Sequence, residues 1–186
     1  MSHLFSRIQE AGITHVVLGT AYRAEVFEDY FGDGRRLGLE IDYVVEDVPL
    51  GTGGAIRNVA HLLRGDTAVI FNGDILSGVE IDKLVHTHIA AQADVTLHLT
   101  RVPDPRAFGC VATDGEGRVT AFLEKDPNPA TDQINAGTYV FARSVIASIP
   151  TGRPVSVERE TFPGLLADGA IPVSYTHLTL PTKRIV

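Results

Sequence analysis

Apolar positions along the chain fall into two alternating periods. Leu4, Phe5, Ile8 and Ala11 recur at helical spacing, and Gly12 marks the stop. Ile13–Leu18 follows as a short, nearly continuous apolar run, which predicts a strand buried on both faces. Val26, Phe27, Tyr30 and Phe31 predict a second helix, closed by the turn Gly32-Asp33-Gly34. Leu39, Ile41, Tyr43 and Val45 then alternate with Glu40 and Asp42, a strand with one wetter face near a sheet edge. The grammar repeats. A helix runs through Ala55, Val59, Leu62 and Leu63 with Thr52 as its N-cap, and a strand over Thr67–Phe71 leads into Asn72-Gly73-Asp74. Ile81, Leu84, Val85 and Ile89 predict the next helix, and Val95, Leu97 and Leu99 the next strand. Such alternation predicts βαβ units and an α/β fold with a mainly parallel sheet. After Pro103-Asp104-Pro105 the texture changes to shorter β pieces around 110–113, 118–124 and 134–141. Ser156 caps a last predicted helix through Glu158, Phe162 and Leu165, with Pro163 kinking or delaying it.

Composition narrows the function class. The 186 residues are 44% apolar and carry a formal net charge of −7, which argues against a phosphate-backbone binder and so against nucleic acid as a partner. No apolar run is long enough to cross a bilayer, and the N-terminus lacks a signal-peptide pattern, so no membrane partner and a cytoplasmic location are expected. The single cysteine, Cys110, excludes an internal disulfide and a cysteine-rich zinc site.

In an open parallel sheet, ligands sit outside the carboxyl ends of the strands, and the residues of chemical interest fall there. Pro49-Leu50-Gly51-Thr52-Gly53-Gly54 precedes a predicted helix. Its glycines permit close backbone approach and the helix start offers free N–H groups, or the run is simply a turn. It is not a Walker loop, having no Gly-Lys-Ser/Thr. Asp74, at the mouth of the Thr67–Phe71 strand, is either a turn aspartate or a hard oxygen ligand suited to Mg²⁺ held jointly with phosphates. Glu124 can accept from sugar hydroxyls, Lys125 can neutralise a phosphate, and Asn135 can both donate and accept. Each also has the plainer reading of an exposed charge or a loop amide. Gly109 either lets a ligand press on bare backbone or marks a bulge. His86 and His88 point to different sides of their helix and do not read as a zinc pair, and Cys110 reads as a small buried residue.

Taken in order, these stretches resemble the sugar-nucleotide pyrophosphorylase (nucleotidyltransferase) family, nearest its members acting on GTP and mannose 1-phosphate. The carriers include Phe31-Gly32-Asp33-Gly34, Leu50-Gly51-Thr52-Gly53-Gly54, Phe71-Asn72-Gly73-Asp74, Phe108-Gly109-Cys110-Val111, Phe122-Leu123-Glu124-Lys125, Asn135-Ala136-Gly137 and Phe162-Pro163, and the resemblance spans Leu4 to Gly169. It implies a Rossmann-like, mixed but mainly parallel sheet of the nucleotide-diphospho-sugar transferase type. It also implies a transfer in which a sugar 1-phosphate displaces pyrophosphate from a nucleoside triphosphate. On that likeness Leu50, Gly51, Thr52 and Gly53 line the nucleotide pocket and Asp74 holds Mg²⁺. Gly109, Glu124, Asn135 and Gly137 hold the sugar, and Lys125 contacts its phosphate. Transferases of uridylyl, thymidylyl or adenylyl groups to glucose 1-phosphate, and a non-catalytic regulatory subunit, remain the alternatives.

Two departures bear on the expectation. The family's opening strand with its Gly-x-Gly-Thr-Arg loop, and its later Trp-x-Asp element, have no counterpart here. From Pro172 to Thr182 the chain resembles the translation of a transposon-end sequencing adapter. The expected organisation is therefore a partial catalytic domain over 1–171, lacking its first strand and inactive alone, with an adapter-encoded tail over 172–186.

Overall fold

The computed structural model describes residues 1–20, 24–75, 77–124, 128–169 and 172–176, with side chains at all of these except 124 and 172–176. The elements run α1 (Ser2–Glu10), β1 (His15–Thr20), α2 (Ala24–Phe31), β2 (Glu40–Val45), α3 (Gly51–Asn58), β3 (Thr67–Phe71) and α4 (Ile81–Ala90). β4 (Val95–Arg101), β5 (Gly109–Thr113), β6 (Val119–Glu124), β7 (Gln133–Ala142), α5 (Arg143–Ser148), α6 (Phe162–Ala167) and β8 (Pro172–Thr176) follow. The chain folds as two compact units, one built from 1–68 and 141–161, the other from 69–140 and 162 onward.

In the first unit, α1 buries Phe5 and Ile8, and the Phe5 ring meets Phe31 of α2 edge-on at 4.8 Å. β1 and β2 pair in parallel, His15 opposite Glu40 through Thr20 opposite Val45. Among the described residues β1 pairs with β2 alone, and its His15–Leu18 stretch is half-buried rather than enclosed on both faces as its sequence predicts. A two-stranded ribbon has too little sheet around it to bury both faces of either strand. The apolar stripe of α2 is also broader than its contact. Ala24 and Phe31 are buried, whereas Val26 is 45% and Tyr30 67% exposed. α3 runs into a 3-10 turn over Val59–His61, whose closing carbonyls are gathered by one guanidinium. Arg143 donates to Leu63 O at 2.6 Å and to Ala60 O at 2.8 Å, and its backbone N–H to Asp66 O at 2.8 Å. α5, which carries that arginine, has no counterpart in the sequence-based expectation.

The sheet of the second unit runs β6-β5-β7-β4-β8, with β3 also pairing β7. It is mixed: β4 and β8 are parallel, whereas β5 is antiparallel to both β6 and β7. Val95, Leu97 and Leu99 of β4 are fully buried, and α4 supplies Ile81 and Leu84 to the core. Phe162 stacks on Phe122 at 4.7 Å and meets Tyr139 edge-on at 5.3 Å. β8 lies inside the segment for which the sequence predicted no element, its backbone in register from Val95–Pro172 to Leu99–Thr176. Strand pairing is made by main-chain groups, so an extended segment of almost any sequence can occupy an open edge.

Candidate functional site

The glycine run of the first unit sits at the start of α3, and its surroundings are made by the chain itself. Segment 153–158 crosses the turn. Gly53 donates its N–H to Val155 O at 2.8 Å, Gly54 donates to the same oxygen at 3.4 Å, and Val155 returns its N–H to Leu50 O at 2.8 Å. Two of the helix-start amides expected to be free are therefore already satisfied. Thr52 is not the N-cap, a position held by Leu50. Its hydroxyl instead accepts from Val157 N–H at 2.9 Å and donates to the Glu158 carboxylate at 3.0 Å, which also accepts from Ser156 Oγ at 3.0 Å. Gly51 adopts φ +70°, and a Cβ there would stand 2.6 Å from Val155 O. Glycine is required at this position by both backbone conformation and space. Ser156 does cap the turn after it, accepting from Arg159 N–H at 3.2 Å, while Glu160 accepts from Ser156 N–H at 3.3 Å. The Ser156 cap was legible in the sequence; the return bond to Glu160 and the grip on Thr52 were not.

In the second unit the other candidates come together. Gly109 opens β5 directly opposite Glu124 at the end of β6. Because Cys110 pairs with Ile134 across the antiparallel β5–β7 ladder, Gly109 falls beside Asn135. Glu124, Gly109 and Asn135 thus form one row across three strands. The irregularity of the β5–β6 ladder lies at Ala112–Thr113, so Gly109 is not a bulge. Asn135 donates to Tyr139 Oη at 2.6 Å and accepts from Gly137 N–H at 2.9 Å. Gly137 has φ +67°, and a Cβ on it would collide with Ile75 Cδ1 and stand 3.0 Å from Asn72 Nδ2. Its carbonyl accepts from Asn72 N–H at 2.9 Å. This contact ties the row to the turn that carries Asp74. Asn72, Ile75 and Tyr139 are the members that sequence reasoning missed, because their role is to hold neighbours.

Asp74 is exposed, and among the described residues its carboxylate makes no hydrogen bond or ion pair. One free hard oxygen donor fits a divalent cation that takes its remaining ligands from phosphate and water, as Mg²⁺ does. No group of three or more His, Cys, Asp or Glu among the described residues forms a cage. Lys125 lies outside the described residues, and the side chain of Glu124 is likewise outside them. Cys110 is buried, and His88, also buried, faces Thr96 Oγ1 at 3.0 Å, so neither belongs to the row. No helix among the described residues is long and apolar enough to cross a membrane.

The fold is shared with solved structures. HddC from Yersinia pseudotuberculosis, solved in complex with GMP-PN, superposes with a TM-score of 0.79 at 23% identity, over 95% of this chain and 75% of that one. The profile of the nucleotidyl transferase family matches residues 1–175, and the chain belongs to that family. It is 64% identical over 169 residues to the mannose-1-phosphate guanylyltransferase of Mycobacterium tuberculosis, covering 91% of this chain and 47% of that protein. It is 34% identical to the D-glycero-alpha-D-manno-heptose 1-phosphate guanylyltransferase of Aneurinibacillus thermoaerophilus, over 86% of this chain and 68% of that one. The chain spans about half the length of the first of these relatives.

Proposed function

We propose that this chain is the nucleotide- and sugar-phosphate-handling part of a mannose-1-phosphate guanylyltransferase, which makes GDP-mannose and pyrophosphate from GTP and mannose 1-phosphate. The identity of 64% to a relative of that name carries the reading. The phosphate of the sugar attacks the α-phosphorus of GTP and pyrophosphate leaves, so no protein nucleophile is needed. Catalysis then rests on alignment and on neutralising developing charge. Leu50, Gly51, Thr52 and Gly53 present the turn that faces the base. Gly109, Glu124, Asn135 and Gly137 orient the sugar, and Lys125 meets its phosphate. Asp74 would hold Mg²⁺, which lends charge neutralisation to the phosphates. That the Asp74 carboxylate has no partner among the described residues supports that role, and the Gly137–Asn72 contact supports one shared site for cation and sugar.

The test is pyrophosphate release by this sequence carried in a protein of its relatives' length. GTP with mannose 1-phosphate and Mg²⁺ should be turned over at least about tenfold faster than UTP with glucose 1-phosphate, a selectivity within reach of one or two base contacts. Equal rates with both pairs would overturn the mannose and guanine assignment. Asp74→Asn should abolish turnover without moving the melting temperature, since the carboxylate has no partner among the described residues to lose; retained turnover would remove Asp74 from the site.

A further inference from the structure

We infer that the cleft between α3 and the loop at 150–153 is a second anion site, one that takes a small phosphate ester. The cleft, half open to solvent, has a volume of about 240 Å³. Leu50, Gly54, Arg57 and His61 line one wall, recurring every three or four residues along one face of α3 and its 3-10 extension. Thr151 and Arg153 line the other, and none of the lining residues is acidic.

Arg57 gives the cleft its chemistry. Its Nε is shut off from solvent and has no hydrogen-bond partner, and the guanidinium makes no ion pair among the described residues. A buried N–H left without an acceptor is costly, and a guanidinium fork is shaped to receive an oxyanion through paired donors. Two neighbours frame it. His61 donates Nδ1–H to Asn58 O at 3.0 Å, so in the neutral ring Nε2 is an acceptor and the imidazole serves as a wall of the cleft rather than as a donor to an anion. Arg153 is held in place by an ion pair with Glu160 at 2.8 Å and by Pro154 O at 3.0 Å, so its guanidinium need not be ordered on binding although its charge is shared with that carboxylate. The volume falls below the usual range for drug-sized ligands, which suits a phosphate with a few carbons. Planar, bidentate donors with a cationic surround favour phosphate over a single carboxylate. Arg57 and Arg153 are distinct from the nucleotide and sugar sets above, although Leu50 of the cleft wall also belongs to the nucleotide set.

Titrating the full chain with inorganic phosphate and with glycerol 3-phosphate tests it, read by calorimetry and by phenylglyoxal labelling of arginines with peptide mass analysis. Saturating glycerol 3-phosphate should protect Arg57 from labelling while Arg35, whose side chain is 88% exposed, keeps its rate. Arg57→Gln should weaken binding about tenfold, the loss of one charge-assisted contact. If Arg57→Gln fails to fold, the labelling of the unaltered chain decides. Unchanged Arg57 labelling, or unaltered affinity in a folded Arg57→Gln, would overturn the site. Tighter binding of citrate than of glycerol 3-phosphate would overturn the phosphate assignment.

Discussion

A methyl group at position 51 would stand 2.6 Å from the Val155 carbonyl oxygen, on a residue whose φ is +70°. Gly65 shares the conformation, φ +80°, but has no atom within 4 Å of where its Cβ would lie. Comparing the two separates strain from collision. Gly65→Ala should cost roughly 1 kcal/mol, the backbone penalty alone, and Gly51→Ala roughly 2–4 kcal/mol, both read from denaturant unfolding. Equal costs would mean that the crossing segment yields freely. The glycine run was legible in the sequence as a site where backbone comes close to something. What it comes close to was not, because Val155 and Glu158 lie about a hundred residues downstream and no local pattern connects them to Thr52. Gly137 has the same history: the Asn135-Ala136-Gly137 motif was legible, whereas its fit against Asn72 and Ile75 is a tertiary fact.

Among the elements, α3 depends on a side chain from α5. Arg143→Ala removes donors from the Leu63 and Ala60 carbonyls, and the loss of these two part-buried bonds should cost about 1–3 kcal/mol. Arg143→Lys should recover only part of it, since an ammonium cannot span both carbonyls as the fork does. Full recovery by lysine would show that charge alone matters. The α4–β4 contact carries a pH dependence. Burial holds the His88 imidazole below its ordinary pKa, with nearby Asp94 opposing the shift. The unfolded chain takes up a proton near pH 6.5, where the native one resists it, so stability is full above that value and declines as pH falls below it. Melting temperature should drop between about pH 7 and pH 5, and His88→Gln should flatten the slope. An unchanged slope would place the effect elsewhere. Elements with clean periodicity, α1, β3 and β4, were legible to within two residues. Those that failed did so for contextual reasons. α5 is six residues with little amphipathic pattern, β8 takes its place through main-chain pairing, and the exposure of Val26 and Tyr30 on α2 follows from which neighbours the helix meets.

At the scale of the molecule, protection from solvent should be uneven. β4 is paired on both sides and buries Val95, Leu97 and Leu99 completely, whereas β1 is half-buried and paired on one side among the described residues. Amide hydrogen exchange should therefore be slowest in β4 and markedly faster in β1, which opens without disturbing a large core. Equal protection of the two strands would contradict that ordering. A net charge of −7 is notable in a chain proposed to bind polyanions, and it places the weight of recognition on a few local cations. The grip of Glu158 and Val155 on the Gly51–Gly53 turn has a further consequence, for biosynthesis. Thr52 and Glu158 are separated by 106 positions, so the turn leaves the ribosome long before its cover exists. At common elongation rates of about 5–20 residues per second, that delay is roughly 5–20 s. For that interval the backbone of α3's first turn is satisfied by water alone, and the nascent chain carries an open glycine turn that a chaperone or a nucleotide could occupy first.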